Sequence, residues 1–542
     1  MSPSMIFLAL PLCVLFCSEL LFPVVSAQTD FDWSTIEPTS NLSWVDCYSE
    51  YKCTRFQVYF PSFYNSSISH HHPSARLKVP IDYSNEDGDK AALAVIKIPA
   101  QSDVEYKGAF LTNPGGPGVS GVAVLGVIRP LLDIVIGNQY DIISFDPRGV
   151  ANSTPRAEFF LSKEEHYQWL ASTDHYTTSV NATSDQIPHL WASSQVIAGL
   201  AEATDNGILN YIGTDNVARD MLRISEAAGQ EKLQYWGYSY GTTIGATFAA
   251  MFPDKIERMV LDGVMDMEGY YIGDWMRNLD DTDKAMQYFF DGCAAAGPDA
   301  CAFYTSTAEE ISNNLNFLYE SLLTHPVPVV SSSSYGVVDY NVLRTAVLYS
   351  LYEPYTLFPV LAQGLASLAA GDGTIIYEMQ ATATDPSSFY DNSWEAEIAV
   401  SCSDAPNNDT VADLFAYWDR NKGISTFSDL FMQRISCSGW KFHRDDRFTG
   451  PVAGNTSYPI LFIGNTADPV TPLSAAKNAS SAFPGSVVLA RNASGHTSLS
   501  SASVCTQAYV QAYFHNGTLP SDGTSATFFL GAQMNPEPDF FS

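Results

Sequence analysis

The run Leu233-Gln234-Tyr235-Trp236-Gly237-Tyr238-Ser239-Tyr240-Gly241 decides how this chain is read. An apolar, strand-like stretch closes in Gly-x-Ser-x-Gly, the pattern of a serine carried on a sharp strand-to-helix turn. The glycines flank the serine because strand and helix cross there too closely to leave room for a Cβ. A serine so held points its hydroxyl into a cleft and not into a core. Short motifs recur by chance, so its partners must appear in the right order and on the right elements.

They do. Where a serine on such a turn is catalytic, an acid follows it along the chain and a histidine comes last. Far downstream, Tyr458-Pro459-Ile460-Leu461-Phe462-Ile463-Gly464 reads as a buried parallel strand, an apolar run bounded by turn residues. It leads into Asn465-Thr466-Ala467-Asp468-Pro469, which presents Asp468 at the strand's carboxyl end. A second strand, Ser486-Val487-Val488-Leu489-Ala490, leads to Ser494-Gly495-His496-Thr497. Open α/β sheets place reactive groups at the carboxyl ends of their strands. After Ser239 the chain has His325, His443, His496 and His515; only His496 stands on a glycine-containing loop after a core-type strand and downstream of such an Asp.

An anion-binding turn is also legible. Gly108-Ala109-Phe110-Leu111-Thr112 reads as a strand and runs into Asn113-Pro114-Gly115-Gly116-Pro117-Gly118. Glycines leave backbone N–H groups uncovered, and one of these with the N–H of Tyr240 can hold the negative oxygen of a tetrahedral intermediate. One strand later comes Tyr140-Asp141-Ile142-Ile143-Ser144-Phe145-Asp146-Pro147-Arg148-Gly149.

Together with Met259-Val260-Leu261-Asp262-Gly263-Val264, Val79-Pro80-Ile81-Asp82-Tyr83, Trp44 and Cys402-Ser403-Asp404, these stretches resemble the α/β-hydrolase peptidases. Within them the chain is most similar to the secreted tripeptidyl aminopeptidase and proline iminopeptidase group, from about residue 44 to the end. The resemblance implies Ser239 as nucleophile, Asp468 and His496 as its partners, and Gly116 and Tyr240 as oxyanion donors. It implies an α/β-hydrolase fold, a mostly parallel sheet flanked by helices with an inserted, mainly helical lid. Acyl transfer by these groups needs no metal and no organic cofactor.

The organisation along the chain fits that outline. Residues 1–27 read as a secretory signal: an apolar stretch from Met5 to Val25 ends in Val25-Ser26-Ala27, a small-residue cleavage pattern. No Lys or Arg precedes the stretch, which leaves an uncleaved membrane anchor as the alternative. Residues 28–75 form a lead-in whose insert contains His70-His71-His72, read as a mobile loop. Residues 76–267 carry the first part of the hydrolase core, 268–450 the lid, and 451–542 the rest of the core.

Secretion agrees with the cysteines and with nine Asn-x-Ser/Thr acceptors, at Asn41, Asn65, Asn152, Asn181, Asn408, Asn455, Asn478, Asn492 and Asn516. Short spacings point to Cys47–Cys53 and Cys293–Cys301, with Cys402–Cys437 as the remaining pair and Cys505 left over; spacing alone does not fix the connectivity. The formal net charge of −32 argues against nucleic acid as a partner, since phosphates would be repelled. An acidic field attracts substrates with a charged amino terminus.

An exopeptidase acting at that end must bind an ammonium group, which carboxylates do best. In the resembling group the end of the lid contributes to this, so Asp404, and after it Glu395 and Glu397, are the expected anchors. The expected activity is release of short peptides (tripeptides) or single residues from free amino termini, by a monomer outside the cell. A carboxylesterase or lipase with the same triad is the competing reading.

Overall fold

The computed structural model describes residues 31–47, 72–101, 103–173, 179–332, 334–381, 392–527 and 540–541. The expected signal, Cys53, His70 and His71 lie outside these residues, so the proposed Cys47–Cys53 pair does too. Strands come in chain order as β1 (Val45–Cys47), β2 (His72–Pro80), β3 (Lys90–Ile98), β4 (Ala109–Asn113), β5 (Asp141–Phe145), β6 (Leu233–Tyr238) and β7 (Ile256–Asp262). A hairpin, β8 (Val327–Val330) and β9 (Tyr335–Val338), precedes β10 (Leu461–Ala467), β11 (Val487–Ser494) and β12 (Ser525–Thr527).

Ten strands make one sheet in the order β1-β2-β3-β5-β4-β6-β7-β10-β11-β12. The first three join antiparallel, and from β5 to β12 every pairing is parallel. Such a sheet must be apolar on both faces, and the alternation along its strands meets that demand. On one face, Leu111, Phe145, Tyr235, Leu261 and Phe462 join one buried cluster. Their neighbours Phe110, Ile142, Trp236, Val260 and Leu461 point to the other. The chain thus has an α/β-hydrolase fold, with β4, β6, β7 and β10 at its centre.

Between β7 and β10 the chain leaves the sheet for a largely helical excursion. The helices Thr282–Ala296, Ala308–Leu322, Tyr340–Ser350 and Pro354–Ala369 enclose an apolar cluster of their own around Phe289, Leu315, Val347 and Phe358. Phe540 and Phe541, from the far end of the chain, pack into the same cluster. The hairpin β8–β9 was not expected in a helical region; its strands are short, and Pro328 within β8 obscures the strand pattern.

Two disulfides form as expected, Cys293–Cys301 within this excursion and Cys402–Cys437 at its end, while Cys505 is half-buried and forms none. Among the described residues, no helix is long and apolar enough to cross a membrane, and no cluster of His, Cys, Asp and Glu is suited to a metal.

Candidate active site

Ser239 follows β6 directly, with φ 54° and ψ −125°, and the helix Tyr240–Met251 starts at the next residue. Only Ala151, Ser239 and Thr497 combine a side chain with positive φ among the described residues, and two of the three belong to this site. Strain of this kind persists where surrounding structure enforces it. Both glycines of the motif are sterically required. A Cβ on Gly237 would lie 2.4 Å from the Gly241 carbonyl oxygen, and one on Gly241 would lie 2.7 Å from that of Asn113.

Asp468 ends up at the carboxyl edge of β10, fully buried and well satisfied. Its Oδ1 accepts from the backbone N–H of Val470 (3.1 Å) and Thr471 (2.9 Å), and its Oδ2 accepts from that of Thr497 (2.9 Å). His496 Nδ1 lies 3.0 Å from Oδ1 and 3.2 Å from Oδ2. A ring nitrogen facing a carboxylate carries the proton, which leaves the lone pair on Nε2. Thr471 Oγ1 sits 3.1 Å from the same Nδ1. On its outer side the imidazole meets the Tyr352 ring edge-on at 5.2 Å, and the His496 N–H donates to the Tyr352 carbonyl (2.9 Å).

Asp262 joins the serine to this pair. It ends β7, between β6 and β10, and its carbonyl accepts from the Ser239 N–H (3.0 Å). Its carboxylate accepts from the N–H of Ser498 (2.8 Å), two residues past His496, and from the Ser498 hydroxyl. Burial raises the pKa of Asp262, and the hydrogen bonds from Ser498 oppose that rise. The serine turn and the histidine loop are thus tied to one residue.

The Gly115-Gly116 turn packs directly against the serine. A Cβ on Gly115 would lie 2.8 Å from Ser239 Cβ and 3.1 Å from the Tyr240 nitrogen, at a φ of +105°. Gly115 donates its N–H to Asn113 Oδ1 (2.9 Å), leaving that of Gly116 without an acceptor among the described residues. Tyr240 opens its helix, so its N–H lies outside the helix's own hydrogen-bond ladder. The Tyr240 N–H, next to Ser239 in the chain, and the Gly116 N–H, next to the Gly115 that packs on Ser239, are thus both without an acceptor among the described residues.

The helix Ser393–Asp404 lies over this turn; a Cβ on Gly118 would be 2.2 Å from the Ser393 carbonyl oxygen and 3.0 Å from the Glu397 nitrogen. It carries all three expected amine anchors, but the structure separates them. Glu395 is fully buried, with Oε1 3.4 Å from His166 Nδ1. Asp404 is 2% exposed, and its carboxylate accepts from the Thr214 N–H (2.9 Å), the Thr214 hydroxyl and the Tyr270 hydroxyl (2.8 Å). Thr214 Oγ1 also meets the Tyr240 hydroxyl (2.6 Å), so Asp404 braces the elbow helix from beneath. Burial pushes its pKa up to about 7. Both positions are closed to a substrate, which corrects the expectation for Asp404 and Glu395.

Glu397 is different: it is half-buried and has no side-chain partner among the described residues. Its charge acts on Tyr352, the residue against His496. Burial raises it to about 7. Glu353 is a second carboxylate of this kind, next to Tyr352. It too is half-buried and unpaired, raised by burial to about 7, with His496 drawing it back down. Nothing in its sequence context, Tyr352-Glu353-Pro354, marks Glu353; the chain brings it here from more than a hundred residues away from both Ser239 and His496.

Two family models match the chain, one described as alpha/beta hydrolase fold over residues 108–300 and one as TAP-like protein over residues 425–526. Serine protease Hip1 of Mycobacterium tuberculosis (strain ATCC 25618 / H37Rv) is 30% identical over 464 residues, spanning 83% of this chain and 86% of that protein. The chain belongs to the α/β-hydrolase family. Tripeptidyl aminopeptidase of Streptomyces lividans is 26% identical over 81% of each chain. Carboxylesterase B of Mycobacterium tuberculosis (strain ATCC 25618 / H37Rv) is 28% identical over 82% of this chain and 84% of its own. This α/β-hydrolase is an enzyme, a serine hydrolase of the peptidase type.

Proposed function

We propose that this serine hydrolase is a secreted exopeptidase that releases short peptides, tripeptides foremost, from free amino termini. Ser239 attacks the scissile carbonyl while His496 Nε2 takes its proton, and Asp468 holds the imidazole and stabilises its charged form. The N–H groups of Gly116 and Tyr240 receive the oxyanion. His496 then protonates the leaving amine, and water releases the acyl group from Ser239. Residues 268–450 act as the lid, and Glu353 and Glu397 take up the substrate's ammonium group.

The observation that carries this reading is two half-buried carboxylates without side-chain partners among the described residues, Glu353 within electrostatic reach of His496 and Glu397 within that of the adjoining Tyr352. Leaving such groups without partners is costly unless a cation arrives to pair with them. The relative named tripeptidyl aminopeptidase supports the same substrate class. Two disulfides fit an oxidising compartment, and so support export.

An esterase is the second reading, because the triad and donors serve an ester equally and a relative bears that name. One substrate panel separates the two: Ala-Ala-Pro-p-nitroanilide, its amino-acetylated twin, Pro-p-nitroanilide and p-nitrophenyl butyrate. Cleavage of the free-amine tripeptide and not of its twin is expected. Turnover of the ester alone would overturn the exopeptidase reading.

A further inference from the structure

A second cleft, away from Ser239, carries a sequon on its rim. It encloses about 520 Å³ and is lined by Val180, Asn181, Thr183, Ile187, Leu323, Phe415 and Trp418, among others. Leu323 is 51% exposed and Phe415 40% exposed, so two large apolar side chains face the same opening. Asn181 and Thr183, first and third residues of Asn-Ala-Thr, are both exposed. Their turn is firmly held: Asn181 N–H donates to Ser179 Oγ (3.0 Å), and Val180 N–H to the Asp429 carbonyl (2.9 Å). Asp429 in turn pairs with Arg344 at 2.6 Å, so the turn is fastened to the lid.

We propose that Asn181 is N-glycosylated and that the first sugars of its glycan lie in this cleft, against Phe415, Trp418 and Leu323. The proposal rests on the export reading above. The cleft has polar and apolar walls in nearly equal measure, and a pyranose, with its C–H face and hydroxyl rim, is amphipathic in the same sense. The attached chain begins at the rim, so docking costs little further translational freedom. In the linking step, Asn181 Nδ2 forms a bond to C1 of a lipid-diphosphate-linked oligosaccharide. The bond from C1 to the phosphate oxygen breaks, the amide gives up one proton, and the lipid diphosphate leaves.

Asn152 provides an internal contrast. Its Nδ2 donates to Asp146 Oδ2 (3.0 Å), and its N–H reaches the same oxygen (3.0 Å). That amide is engaged in holding Asp146, whereas no side-chain hydrogen bond of Asn181 is formed among the described residues.

The test uses the full chain secreted from an N-glycosylating yeast. Enzymatic removal of glycans converts modified Asn to Asp, which peptide mass spectrometry locates. An endoglycosidase cutting between the first two sugars then compares native with denatured protein, site by site. Asn181 should be occupied, and its glycan cut at least about tenfold more slowly than that of exposed Asn455 in the native state, the factor an interaction of about 1.4 kcal/mol gives. Trp418→Ala and, separately, Phe415→Ala should remove that protection without changing occupancy; retained peptidase activity verifies their folding. An empty Asn181 beside an occupied Asn455, or equal cutting rates, overturns this inference alone. Absence of glycan at every sequon overturns it together with export.

Discussion

At the sheet edge, Asp468 accepts from three backbone N–H groups and from His496; in the helical insertion, Glu353 and Glu397 accept from none among the described residues. Both settings exclude much of the solvent, yet they solve the problem of a buried carboxylate in opposite ways. Asp468 has its charge met by donors fixed in place before any substrate arrives, so it serves to orient one imidazole. Glu353 and Glu397 lack those donors, and burial holds their protons on up to about pH 7. A satisfied carboxylate keeps its charge in place, and an unsatisfied one is left to pair with an arriving cation, the role proposed for Glu353 and Glu397.

Removing the catalytic side of the comparison should have the largest effect. Ser239→Ala is expected to lower kcat by about 10⁶-fold, with stability changed by no more than about 0.5 kcal/mol in urea unfolding. Asp468→Asn should cost about 10⁴-fold in kcat, because its amide cannot hold the imidazole in the right tautomer. It should also lose stability, since an NH₂ group would face backbone donors. Gly115→Ala should lower kcat by about 10²–10³-fold, by pushing the turn away from Ser239 and displacing an oxyanion donor. Its effect on KM should be small.

The two sides differed as much in how well the sequence revealed them. The sheet was readable because its constraints are local: Phe110-Leu111 and Leu461-Phe462 alternate between two apolar faces, and glycines mark the places where a Cβ would collide. Ser239, Asp468 and His496 were legible as candidates because each follows a strand on its own loop. Asp262 also ends a strand, but its role depends on β7 lying between β6 and β10, which is a matter of strand order. The helical insertion gave much less. Helical spacing puts Glu395 and Glu397 about 200° apart and Glu397 and Asp404 on one face, yet it does not say which face meets the serine. Glu353 reaches the site only through the packing of the whole insertion.

The insertion side should show smaller and more selective effects. Glu353→Gln and Glu397→Gln are each expected to lower kcat/KM for a free-amine peptide by about 10–100-fold, the worth of a charge-assisted hydrogen bond. The pH dependence sharpens this further. Both pKa values are raised, so the carboxylates are protonated below about 7 and charged above it. A peptide amine is charged below about 7.7–8.0. KM for the free-amine peptide should therefore be lowest between the two values and rise several-fold as pH falls from about 7 to 5.5; a stopped assay across that range checks it.

The most direct measurement is the ratio of kcat/KM for Ala-Ala-Pro-p-nitroanilide to that for its acetylated twin, in the wild type and in the Glu353→Gln/Glu397→Gln double variant. The wild-type ratio should be large, and the double variant should lose at least about tenfold of it, entirely through the free-amine substrate. A ratio near one in the wild type, or a double variant in which both substrates decline together, would contradict a site that selects the amino terminus.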